Sequence, residues 1–316
     1  MSLLRRLAES AVSVLGGGIL VFALLVATPG DPARRVLNTR GVEEPTLAEL
    51  QAMREQLGLD QPIPVRFLDW FLGLFRGELG VSWRTGSPVA GEFASRLPAT
   101  VILALAALLL AVVLSLLLGV LAAWQPGRWS DHLSRLVSTA ALALPSYLIG
   151  VLLLDLVAVR LGWGTVIADG TWATVFLPAL TLALASAAVW SRVLRSALLD
   201  LDSAAFLTVA TARGSGPWRN LLQHRLPNVV PQFLTVVGLG TAMLLGGAPI
   251  TETIFSWPGV GKYTVDAITA RDMPVVTSFT MLAVLAYVAT SLVVDLVIMI
   301  IDPRHGRTPH RMAARA

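Results

Sequence analysis

The sequence predicts an all-α integral membrane protein with six transmembrane helices and a partly helical extramembrane segment after the first. Three observations predict it. Six stretches of 18 or more residues are predominantly apolar, close to the roughly 20 that an α-helix needs to cross a bilayer. Charged residues make up 14% of the 316-residue chain and mean hydropathy is +0.72, whereas a soluble domain carries about 25% charge. Among the short connecting segments, basic residues gather in alternate ones, as the positive-inside rule requires of a polytopic chain. The eight in the 29–97 segment fall in a loop too long for that rule.

The six apolar stretches are 11–28, 99–124, 136–159, 173–190, 229–250 and 275–301. The first follows Arg5 and Arg6 and could be read as a signal peptide. It is long for one, however, and Ala27-Thr28-Pro29 is a poor cleavage site. An even number of spans puts both termini on one side, and the arginines choose the side. Arg5 and Arg6, Arg128 and Arg135, the 191–228 loop (Arg192, Arg195, Arg213, Arg219, Arg225) and the tail (Arg304, Arg307, Arg311, Arg315) are basic. The two short loops opposite, 160–172 and 251–274, hold only Arg160, Lys262 and Arg271. Both termini are therefore expected in the cytoplasm of a multi-pass cell-membrane protein. The order expected is a cytoplasmic N-terminus and first helix (1–28), an extracytoplasmic segment (29–97), a five-helix membrane domain (98–302) with a cytoplasmic loop at 191–228, and a cytoplasmic tail (303–316).

Within 29–97, Thr46 and Glu49 form a capping-box signature, and Gly58 is placed to end a helix of about three turns. Pro62 and Pro64 follow, and Phe67, Trp70, Phe71, Leu74 and Phe75 then recur at helical spacing. That stripe predicts an amphipathic helix on the membrane or against other spans, with substrate contact as the alternative. Pro145 and Pro178 are expected to kink the third and fourth spans. Gly238, Gly240, Gly246 and Gly247 give the fifth a small face, suited to close packing or to lining a channel. Asp155 lies near the end of its span beside Arg160, and Asp295 lies two turns before Asp302. Snorkelling for the first and inter-helix hydrogen bonding for the second are weighed against proton coupling.

Several chemistries are excluded. The chain has no cysteine, and its four histidines (His132, His224, His305, His310) are scattered with no H-x-x-x-H pair among them. Gly259-Val260-Gly261-Lys262 resembles a phosphate loop but has Ser256 where the first glycine belongs and Tyr263 where Ser or Thr belongs. No nucleotide, cofactor or metal site is expected in this chain, nor nucleic-acid binding. No Ser, His and Asp stand in register for a membrane hydrolase. An ion-driven secondary transporter, the alternative function, would show more buried charge and an internal repeat.

The 191–228 loop carries the functional signal. Asp202 or Ser203 is expected to cap a helix over 204–213, ended by Gly214 and Gly216 with Pro217 beyond. Thr208-Val209-Ala210, three residues, Gly214, nine residues, then His224-Arg225-Leu226-Pro227 resembles the E-A-A-x3-G-x9-I-x-L-P loop of ATP-binding-cassette importer permeases. It departs from that pattern at Thr208, Val209 and His224. Further stretches narrow the resemblance to the first permease of the oligopeptide/dipeptide/nickel family. They are Pro29-Gly-Asp-Pro32, Gly58-Leu-Asp-Gln-Pro62, Gly77-Glu-Leu-Gly80, Ile254 to Gly261, Arg271-Asp272-Met273-Pro274, Val294-Asp295-Leu296 and Asp302-Pro303-Arg304.

The resemblance implies a type I importer transmembrane domain. Its expected partners are a second homologous permease, two ATPase subunits carrying ATP and magnesium, and an extracytoplasmic solute-binding protein. It further implies that Phe206, Leu207, Thr208, Ala210, Arg213, Gly214, Leu226 and Pro227 engage an ATPase, with Ala210 and Gly214 permitting close approach. Gly238, Gly240, Gly246, Trp257, Gly259 and Gly261 are pore or gate candidates, the 254–261 turn standing equally as gate, docking element or plain structure. Short peptides and nickel both remain open as substrate.

Overall fold

The computed structural model describes residues 3–27 and 29–301. Their organisation is helical throughout: α1 (Leu3–Ala27), α2 (Pro32–Thr39), α3 (Leu47–Gln56), α4 (Ile63–Phe75), α5 (Val89–Trp124), α6 (Trp129–Ala143), α7 (Ser146–Leu153), α8 (Phe176–Asp200), α9 (Ala205–Ala212), α10 (Pro217–Arg219), α11 (Leu226–Ile254), α12 (Val260–Thr269) and α13 (Met273–Ile301). Five helices among the described residues are long and apolar enough to cross a membrane, and α6 with α7 makes a sixth only if the bent pair counts as one span. Residues 302–316 and the side chain of Asp295 lie outside the described set, so the expectations for the tail and for Asp295 lie outside it too.

The third span departs from expectation. It is a break of 106° between α6 and the segment Ser146–Arg160, not a kink within one helix. Pro145 sits at the break as the residue before α7. It has no N–H for the preceding turn, and its ring excludes the carbonyl four residues back. Pro178 does not kink the fourth span. It lies in the first turn of α8, where the N–H it lacks would have had no helical partner. Helix α8 also runs ten residues beyond the apolar stretch, to Asp200, carrying Arg192 and Arg195 on a rigid rod.

The chain forms two compact units. One takes Val101–Trp257 with the last helix from Ala289. At its centre α8 buries more than half its residues, many of them alanine. Glycines let neighbours close on it: a Cβ at Gly240 would stand 2.5 Å from Trp190, and one at Gly247 2.9 Å from Leu182. In the same unit a Cβ at Gly238 would stand 2.5 Å from Val294 of α13. Small residues at helix contacts drive membrane packing where the hydrophobic effect is absent.

The other unit takes the residues through Thr100 with Pro258–Val288. In it Thr46 and Glu49 close the capping box, Thr46 N donating to the Glu49 carboxylate (2.8 Å) and Glu49 N to Thr46 Oγ1 (3.3 Å). Gly58, at φ +64°, ends α3. Its N–H reaches Glu55 O, and that of Leu59 reaches Arg54 O, the paired bonds of a Schellman turn. The aromatic stripe of α4 packs on α1, with ring centroids of Phe67 and Trp70 at 5.4 and 5.6 Å from Phe22. A second cluster joins Val89 and Phe93 to Val260, Tyr263, Ala267 and Val275.

Candidate functional site

Helix α9 is a short rod held at both ends. The expected cap at Asp202 or Ser203 is not formed. Those residues continue α8 as a 3₁₀ turn (Leu201–Ser203), so neither has the extended backbone of an N-cap. That position falls to Ala204, which offers no side-chain bond. Asp202 instead holds Arg225 Nη1 at 2.6 Å, tying the entry of α9 to the strand of helix that follows it. At the other end Gly214 has φ +83°. Its N–H donates to Thr211 O (2.9 Å) and that of Ser215 to Ala210 O (3.0 Å), a second Schellman turn. Buried Asn220 donates from Nδ2 to Thr211 Oγ1 (3.0 Å). The backbone then runs π-helical over Asn220–Arg225 into Leu226 and Pro227, where Pro227 has no N–H to give to Gln223.

The predicted contact residues divide by exposure. Phe206 is 42% exposed and Thr208 and Arg213 are open, but Leu207 is only 5% exposed. Leu207 therefore belongs to the chain's own packing and is not free to enter a partner's cleft. Ala210 and Leu226 are half-buried, and Gly214 and Pro227 are exposed. A Cβ at Gly214 would meet nothing within 4 Å, so this glycine is required by its left-handed backbone and not by crowding within the chain. Sequence reasoning missed Val209, 51% exposed. Phe206, Val209 and Arg213 fall at i, i+3 and i+7, one face of the helix, and that spacing was the available signal.

The helix that leads into α9 has an unforeseen support. Asp131 of α6 is wholly buried. It accepts from Arg195 Nε and Nη2 of α8 (both 2.8 Å), Arg135 Nη2 (2.9 Å) and the Gly127 N–H (2.9 Å). Two turns on along α6, the Ser138 and Ser191 hydroxyls pair at 3.2 Å, and Arg192 donates to Thr139 Oγ1 at 2.8 Å. Arg192 and Arg195 serve topology in the sequence, and here they also fasten α8 to α6, while Arg135 braces Asp131 from within α6.

The pore and gate candidates mostly turn out to be packing residues. Trp257 is fully buried, and Gly259 and Gly261 are buried as well. They form a tight corner into α12 and not a surface open to a passing solute. Gly238 and Gly240 face Val294 and Trp190, so they do not share one small face. Gly246 alone opens onto free space. It belongs to an uncovered face of α11 with Leu239, Met243 (82% exposed) and Ile250. Asp155 makes a partly exposed ion pair with Arg160 at 2.8 Å. In the other unit, buried Asp272 of the Arg271-Asp272-Met273-Pro274 motif accepts from Ser82 Oγ, Trp83 N (3.0 Å) and Arg84 N (3.3 Å). This pins the 80–88 loop to the start of α13.

Comparison with known proteins agrees with these features. Residues 115–307 match the model of the binding-protein-dependent transport system inner membrane component, and residues 1–104 match that of its N-terminal region. The chain is 37% identical to the probable D,D-dipeptide transport system permease protein DdpB of Escherichia coli K12, covering 97% of this chain and 98% of that one. It is 32% identical to the dipeptide transport system permease protein DppB of Alkalihalophilus pseudofirmus, covering 95% and 98%. Identity is 33% to the glutathione transport system permease protein GsiC of Escherichia coli, covering 90% and 92%. Among solved structures, an inward-facing MetNI methionine ABC transporter matches with a TM-score of 0.54 at 16% identity, covering 66% of this chain and 96% of the other, a likeness of fold. The chain belongs to the family of binding-protein-dependent transport system inner membrane components, the permease subunits of ATP-binding-cassette importers.

Proposed function

We propose that this chain is one permease half of an importer for short peptides, and that α9 is the surface through which an ATPase subunit drives it. One observation carries the reading. In a chain that aligns end to end with a D,D-dipeptide permease, α9 presents Phe206, Val209 and Arg213 on one uncovered face and is braced at both ends. A braced rod transmits a rigid-body push, which a loop cannot. The chain acts as a transport subunit, and hydrolysis falls to its partners. ATP and magnesium belong to two ATPase subunits, and an extracytoplasmic binding protein delivers solute. Both termini lie in the cytoplasm, and 29–97 lies outside. A second, homologous permease covers the Leu239, Met243, Gly246 and Ile250 face of α11, and the pathway runs between the two. The peptide class is supported by the named relatives, which are permeases for D,D-dipeptides, dipeptides and glutathione.

The test is Val209→Asp in the assembled transporter, with Leu47→Asp, on the outer segment and more exposed (86% against 51%), as control. The control is expected to take up labelled dipeptide at the wild-type rate, and Val209→Asp to lose at least nine-tenths of uptake at normal membrane abundance. Undiminished uptake in Val209→Asp would remove α9 from the coupling path. Nickel uptake without peptide uptake would overturn the substrate class.

A further inference from the structure

The 29–97 segment contains a cavity that the coupling mechanism does not use. It is a half-open cleft of about 660 Å³, within the 300–1,000 Å³ of small-molecule sites. Its apolar wall is Trp70 of α4, packed on Phe22, together with Trp83. The Trp83 backbone is fixed by the bond from its N–H to Asp272 Oδ1. Its charged lining is Asp31, Asp60, Asp69, Arg54 and Arg66. Arg54 is already held by Asp31 at 2.8 Å. For Asp60, Asp69 and Arg66 the described residues show no ion pair. Arg66 and Asp69 are three apart on α4, where such residues commonly pair with each other. Here the two line the cavity, one of each sign, beside the indole of Trp70.

We propose that this cavity is a binding site for a short zwitterionic peptide, separate from the pathway along α11. Its ammonium group would lie against Asp60 and Asp69, its carboxylate against Arg66, and an apolar side chain against Trp70 and Trp83. Charge-assisted bonds at both ends make such a site demand both charges, and an indole face adds attraction for the ammonium group. The proposal rests on the peptide reading above and deepens it. The outer segment would hold solute at a stage between the binding protein and the pathway. A phospholipid headgroup such as phosphatidylethanolamine carries the same two charges and is the competing source.

The test is isothermal titration of L-alanyl-L-phenylalanine into the assembled transporter in nanodiscs, without binding protein or nucleotide. It is run in phosphatidylethanolamine discs and in phosphatidylglycerol discs, whose headgroup has no ammonium group, with the N-acetylated, C-amidated peptide as the uncharged control. Saturable binding in both lipids is expected, weakened at least tenfold in Asp69→Asn and in Arg66→Gln and absent for the blocked peptide. Neither side chain forms an ion pair among the described residues, so the variants should fold, and thermal unfolding checks that. The proposal is overturned by an absence of binding, by binding indifferent to both substitutions, by equal binding of the blocked peptide, or by loss of binding in phosphatidylethanolamine discs alone. Dipeptide uptake with the binding protein, measured on the same preparation, separates the two readings. Uptake without the charge-dependent site sinks only this proposal, whereas no peptide uptake sinks the parent reading.

Discussion

Substitution at Gly214 separates two physical roles for one residue. Its φ of +83° lies in the left-handed region, and a Cβ there would touch nothing within 4 Å. The cost of a side chain is therefore conformational, about 1–2 kcal/mol for an L-residue with a Cβ, and less for Asn, which tolerates that region. A penalty of 1.4 kcal/mol is about a tenfold shift in the closed-turn population. The Ser215 amide, which donates to Ala210 O, should exchange with solvent about tenfold faster in Gly214→Ala, and by a smaller factor in Gly214→Asn. Coupled ATP hydrolysis should fall in the order Gly, Asn, Ala, Val. If Gly214 instead served close approach to a partner, side-chain volume would rule and Ala would outperform Asn. Finding Ala superior to Asn, with Ser215 exchange unchanged in both, would refute the conformational argument.

Three further outcomes follow from the packing. Asp131→Ala strands the Gly127 N–H and the inward side of Arg195, but Arg135 is half exposed and can turn to water. The loss should be about 2–3 kcal/mol, below the 3–5 of a fully buried pair, and should appear as a lower unfolding temperature in detergent. Asp272→Ala leaves the Ser82, Trp83 and Arg84 donors without their acceptor. At about 1–3 kcal/mol for each buried group, the 80–88 loop should loosen and tryptic cleavage after Arg84 accelerate, with Asp272→Asn intermediate. Gly240→Ala would force Trp190 aside from 2.5 Å and should cost about 1–3 kcal/mol in overpacking. Gly246→Ala meets nothing and should leave thermal stability within error of wild type.

Local signals were legible in the sequence, and distant pairings were not. The capping box at Thr46 and Glu49, the helix ends at Gly58 and Gly214 and the α4 aromatic stripe each depend on residues within a turn or two of one another. The spans were legible by length and hydropathy, apart from the third. A proline in an apolar run reads as a kink, and the sharp break at Pro145 depends on what packs around it. Asp131 meets Arg195 across 64 residues and Asp272 meets Ser82 across 190, so neither network has a spacing to read. The Asp202 and Ser203 caps failed because α8 outran its apolar stretch and drew both residues into its final turn. Trp257, Gly259 and Gly261 stood out as a motif, but a motif of buried small and aromatic residues marks a corner as readily as a gate.

The central claim is that this chain moves peptides by coupling to ATP hydrolysis on other subunits. Uptake of labelled dipeptide into proteoliposomes tests it most directly. The vesicles would hold this chain with its partner permease and ATPases, ATP on the ATPase side, binding protein on the other, and all ion gradients collapsed. The account predicts accumulation that requires both ATP and the binding protein and persists without any gradient. Accumulation driven by an imposed proton or sodium gradient in the absence of ATP would contradict it.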